Sequence, residues 1–139
     1  MSMPLSIRFD PALLDRLRRR AAGRDTTPSG LAQRLIDEGL RAQDFPGIVF
    51  RDGPSGRRAA LAIGPDVWEV VAALRDSELR GEPAVDEVAR ELSLPVGAVR
   101  SALAYYGTYS DEIDAEIADN ERAAADALRS WESQQRLLA

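Results

Sequence analysis

The chain contains no cysteine, no histidine and no lysine. Each of the first two absences removes a class of chemistry. Without cysteine there is no disulfide framework, no thiolate zinc site and no thiol nucleophile. Without histidine there is no imidazole ligand and no imidazole base. Carboxylates remain, but they fall on the polar faces of the expected helices, where solvated surface charge is the plain reading. No catalytic constellation, metal site or cofactor site emerges, and an enzyme is not expected. No apolar run approaches the roughly 18 residues that span a bilayer. The amino terminus lacks a charged-then-apolar leader pattern. The expectation is a cytoplasmic chain with no membrane partner.

What is present is ordinary apolar content over 139 residues, enough for one domain or two very small ones. Charge is unevenly spread. Residues 1–44 hold eight Arg against six acids, residues 45–64 three Arg against one, and residues 65–139 seven Arg against sixteen acids. A mildly basic front and a strongly acidic rear imply two different partners, of which only the front suits phosphates.

Leu5-Ser6-Ile7-Arg8-Phe9 alternates apolar and polar residues, the pattern of a half-buried strand. No second strand follows nearby, so its partner is expected in another chain. Asp10-Pro11 then predicts a helix start, with Leu13, Leu14, Leu17 and Ala21 as the buried stripe and Gly23 as its close. Arg16, Arg18, Arg19 and Arg20 fill the other face, either solvated or on DNA. Thr27-Pro28-Ser29-Gly30 opens a second helix whose apolar stripe is Leu31, Leu35, Ile36, Gly39 and Leu40.

Strand, helix, turn and helix over positions 4–43 resemble the ribbon-helix-helix family of dimeric DNA-binding proteins. The resemblance implies a homodimer in which the strand pairs antiparallel with its copy and the two-stranded ribbon enters the major groove of operator DNA. Leu5, Ile7 and Phe9 would face the helices. Ser6 and Arg8 would face base edges, Arg8 being suited to guanine. Pro4 departs from the usual polar reader. The start of the second helix, with Thr27 and Ser29, would clamp a phosphate. The alternative is that Ser6 and Arg8 are ordinary solvated positions, and Thr27 and Ser29 mere caps.

After Phe45-Pro46-Gly47, residues 48–61 predict a β-hairpin with a basic arm at Arg57-Arg58. Gly64-Pro65-Asp66 caps a helix bearing Val67, Trp68, Val70, Val71 and Leu74, with Trp68 a core anchor. Residues 84–92 and 96–106 predict two helices about a Ser93-Leu94-Pro95 turn, with Val99, Leu103 and Tyr106 inward. The pair looks like a helix-turn-helix. Its second helix offers DNA only Arg100 and Ser101 in acidic surroundings, so a structural role is expected.

The run from Gly64-Pro65-Asp66-Val67-Trp68 through Tyr105-Tyr106 to Glu112-Ile113-Asp114-Ala115-Glu116-Ile117 resembles small helical domains common in bacterial antitoxins. The hairpin before it resembles that of VapB-like members. From Asp111 a long helix is predicted to about Leu138, with Ile113, Ile117, Ala124, Leu128, Trp131 and Leu138 in a narrow apolar stripe. Arg122, Arg129 and Arg136 lie seven apart on nearly one face. They either pair with acids such as Asp126 and Glu132 or meet a partner.

Together these resemblances imply a VapB-like type II antitoxin: a mostly α chain with a little β structure. A DNA-binding and dimerising module (1–44) precedes a hairpin plus helix-turn-helix-like domain (45–110) and a toxin-binding helix (111–139). The cognate toxin implied is a PIN-type ribonuclease, whose Mg²⁺-binding carboxylates an Arg of this helix would occupy, with Leu128 and Trp131 in an apolar groove. The alternatives are a ribbon-helix-helix regulator with no toxin, an oligomerisation module and a carboxylate-based enzyme.

Overall fold

A computed structural model describes all residues, Met1–Ala139. The chain is mostly helical with one small antiparallel hairpin. Its elements are α1 (Pro11–Ala22), α2 (Pro28–Asp44), β1 (Ile48–Gly53), β2 (Gly56–Leu61), α3 (Val67–Asp76), α4 (Glu82–Glu91), α5 (Val96–Thr108) and α6 (Ser110–Leu138). Two compact units divide at Arg41/Ala42.

In the first unit both helix starts form as their residues dictate. The Asp10 carboxylate accepts the Leu13 N–H at 3.3 Å, and the Thr27 hydroxyl oxygen accepts the Gly30 N–H at 3.0 Å. A Cβ on Gly30 would lie only 3.1 Å from that Thr27 oxygen, which favours glycine there. Gly23 closes α1 with right-handed backbone, and the left-handed residue of the turn is Asp25 (φ 52°). Only Ala21 of α1's expected stripe is fully buried; Leu14 and Leu17 are half-buried and Leu13 is exposed. On α2, Leu31 is buried, whereas Leu35, Ile36 and Leu40 are exposed.

Residues 1–10 form no regular element. The alternation at Leu5–Phe9 predicts a strand, but a strand exists only where a neighbour accepts and donates its backbone hydrogen bonds. The hairpin strands β1 and β2 pair only with each other.

The second unit carries the core. Ile48, Leu61, Val67, Val70, Val88, Val99, Tyr105 and Ile113 are all buried in one cluster drawn from both strands and from α3 to α6. Strand pairing runs Ile48↔Leu61, Phe50↔Ala59 and Asp52↔Arg57, with Pro54-Ser55 as the two-residue loop. Arg58 corrects the expected basic arm: only 7 % exposed, it stacks 5.8 Å over the Trp68 ring and donates to Ser55. The hairpin folds back onto α3, which takes that guanidinium out of solvent.

The Asp66 N–H donates to Glu69 at 2.8 Å, fixing the start of α3. Gly64 is required by close packing, since a Cβ there would meet Leu94 at 2.7 Å. On α4 the buried face is Ala84, Val85, Val88 and Ala89. On α5 it is Val99, Ala102 and Tyr105, so the inward tyrosine is Tyr105 and not Tyr106. The 3, 3 spacing of Val99, Ala102 and Tyr105 turns the face one residue from the 4, 3 spacing of Val99, Leu103 and Tyr106. Either fits a 3.6-residue period, and packing on α3 and α4 selects the first.

The helix α6 starts at Ser110, one residue earlier than Asp111. Ile113 and Ile117 are buried, and every residue from Asp119 onward is exposed. About 20 residues, roughly 30 Å at 1.5 Å per residue, therefore stand clear of the core.

Candidate nucleic-acid and protein interfaces

The first candidate interface lies in the N-terminal unit. A shallow depression of about 470 Å³ is lined by Met3, Leu5, Ile7 and Phe9 from the N-terminal segment and by Ser29, Ala32, Gln33 and Ile36 of α2, with Ser2 at its edge. Pro4, Ser6 and Arg8 are not among its walls and are exposed. The segment thus presents alternate residues to α2, although nothing hydrogen-bonds it as a strand. The apolar row is poorly covered, with Leu5 81 % and Ile7 52 % exposed.

Thr27 and Ser29 part company. The Thr27 hydroxyl oxygen already caps Gly30, so one donor of that helix start is used internally, while Ser29 lines the depression. Ser6 and Arg8 lie on the segment's other side. The four residues do not converge within one chain.

The second candidate interface is the outer part of α6. Leu128 (54 % exposed) and Trp131 (57 %) stand in solvent with Leu137 and Leu138. Arg122 pairs with Asp119 and Arg129 with Asp126, each one turn back, and Arg136 donates to the Ser133 hydroxyl at 3.0 Å. Exposed pairs of this kind contribute about 0.2–0.5 kcal/mol each. They steady the helix without removing the guanidinium groups from a stronger partner.

Between these regions lie polar clusters that the sequence did not single out. Tyr105, fully buried, donates its hydroxyl to Glu112 at 2.7 Å. Phe45 packs edge-on at 5.4 Å, and Tyr109 lies 4.7 Å away. Arg75 binds Asp114 and donates to the Tyr106 hydroxyl at 2.9 Å, joining α3, α5 and α6. The Tyr106 hydroxyl, followed by Arg75, holds the Asp114 carboxyl below its ordinary range.

Glu116 is the opposite case. Burial pushes its carboxyl up to about 7, against the pull of Arg58, and Glu112, Asp66 and Asp119 raise it further. Its Oε2 is buried without a hydrogen bond, as is Nη1 of Arg58. On α5, Arg100 is held by Glu82 and the Ser101 hydroxyl donates to the Gly97 carbonyl at 3.0 Å. The polar groups of the helix-turn-helix-like pair are thus engaged within the unit.

A basic depression near the end of α1, lined by Arg16, Arg19, Arg20, Gly23 and Arg24, is the other charged feature. Its signal was legible as arginines at i, i+4 and i+8 with a fourth beside them. No helix is long and apolar enough to cross a membrane. Neither family models, curated proteins nor solved structures match the chain.

Proposed function

We propose that the chain is a type II antitoxin of the VapB-like kind. Its N-terminal unit forms a ribbon-helix-helix homodimer on operator DNA and represses its own promoter, and its α6 arm neutralises a cognate toxin of the PIN-type ribonuclease class. The observation that carries this reading is the apolar row Leu5, Ile7 and Phe9 laid against α2 with its cover missing, while Ser6 and Arg8 point away. A second copy supplies the missing strand, covers Leu35, Ile36 and Leu40, and places both Arg8 side chains on one ribbon.

The arm follows the same logic. An isolated helix of this length is marginal in water, so its exposed Leu128 and Trp131 call for a groove. One of Arg122, Arg129 or Arg136 exchanges its weak local partner for the toxin's carboxylates, where a planar guanidinium pairs two oxygens at once. The chain itself performs no catalysis and needs no cofactor.

Co-purification from the native host tests both halves. The tagged chain is expected to bring down its own upstream DNA and one small protein that arrests growth when expressed alone. DNA without such a protein makes the chain a plain regulator. A protein without DNA removes Ser6 and Arg8 from any operator site.

A further inference from the structure

The arginines near the end of α1 form a second charged surface, separate from Ser6 and Arg8. Arg16, Arg19, Arg20 and Arg24 surround one open depression of about 500 Å³, with Gly23 as its only other wall. Five of the eight arginines in residues 1–44 fall between positions 16 and 24. Asp15 is spent on Arg19, at 3.0 Å. Arg16, Arg18 and Arg20 engage no carboxylate.

Helix electrostatics explains part of this. Cations at a helix C-terminus are favoured by the macrodipole, which accounts for Arg19 and Arg20 in the last turn. It does not account for Arg16, one turn further in. No apolar side chain lines the depression. A protein partner held there would lack the buried aromatic or aliphatic anchor that gives such interfaces their affinity. A phosphate backbone requires none, being held by charge and hydrogen bonds alone.

We infer that this arginine depression grips nucleic-acid phosphates without reading sequence. The inference rests on the DNA-binding reading and deepens it: Ser6 and Arg8 select the site, and the α1 arginines hold the duplex beside it. They also offset the excess of nine acids over arginines in residues 65–139, which repels DNA.

The test compares full-length protein with its Arg16→Ala/Arg20→Ala variant, circular dichroism confirming that both keep the same helix content. Two fluorescent duplexes of equal length serve as probes, one from the chain's own upstream region and one of scrambled sequence. Each is titrated between low and physiological salt. The variant is expected to weaken on both duplexes by the same factor. Its slope of log affinity against log salt should fall by roughly 2, about 0.9 per phosphate lost. An Arg16→Lys/Arg20→Lys variant should restore the slope, since a point charge suffices.

Unchanged affinity and slope in the alanine variant overturn the inference and leave the DNA-binding reading standing. Wild-type protein that binds neither duplex overturns both. If the alanine variant keeps its DNA slope but loses retention on poly-glutamate, the depression belongs to an acidic protein and the inference fails.

Discussion

The Tyr105 hydroxyl donates to the Glu112 carboxylate at 2.7 Å, tying the most buried ring of α5 to the first turn of α6. This bond sets where the arm leaves the core, together with Ile113 and Ile117, which contribute about 1.5–3 kcal/mol each by burial. Removing the ring leaves a void among Phe45, Phe50 and Tyr109 and strips Glu112 of its donor. Tyr105→Ala is expected to cost about 3–5 kcal/mol in urea unfolding, and Tyr105→Phe about 1–2 kcal/mol. Equal costs would mean that the hydroxyl contributes nothing.

Glu116 makes stability depend on pH. Its folded-state value of about 7 lies above the ordinary 4.5, so between those limits the folded chain holds a proton that the unfolded chain has lost. Its favourable contribution is complete below pH 4.5, falls as pH rises through 7 and is then gone. Glu116→Gln should remove this fall and gain on the order of 1–2 kcal/mol over wild type at pH 8. Parallel stability profiles for the two proteins from pH 5 to 8 would contradict it.

Arg8 is expected to carry sequence readout. Arg8→Ala should cost on the order of 1–3 kcal/mol on operator DNA and relax discrimination at one base pair. Wild-type operator affinity in this variant would remove Arg8 from the interface.

The arm should be separable from the core. Truncation after Asn120 removes only exposed residues, so the midpoint and cooperativity of thermal unfolding of the remaining chain should stay within a few degrees of wild type. Toxin neutralisation should be abolished, and Trp131→Ala should weaken it by 2 kcal/mol or more, as loss of an aromatic anchor does. Intact inhibition by both variants would rule out the arm as the binding element.

Local signals were the legible part. Asp10-Pro11, Thr27-Pro28 and Gly64-Pro65-Asp66 each open a helix where their chemistry requires, and the apolar stripes of α3 and α4 face the core. The hairpin was legible because Pro54-Ser55-Gly56 allows little else. The choice between Tyr105 and Tyr106 was not, since it turns on which neighbours the helix meets. Arg58 was misread for the same reason: a basic residue on a two-residue hairpin looks solvated until α3 packs over it. Glu116 and Glu112 sit in an acidic run that reads as surface, and only tertiary burial sets them apart. The strand at Leu5–Phe9 depends on a partner that one sequence does not specify.

The central claim is that the N-terminal unit is one half of a two-chain structure, and sedimentation equilibrium across the micromolar range tests it most directly. Wild-type protein is expected to be a dimer. Ile7→Glu, which sets a charge on the row facing α2, should be a monomer with the second unit still folded. A wild-type chain that stays monomeric throughout that range, or an Ile7→Glu variant that dimerises as tightly, would contradict the claim.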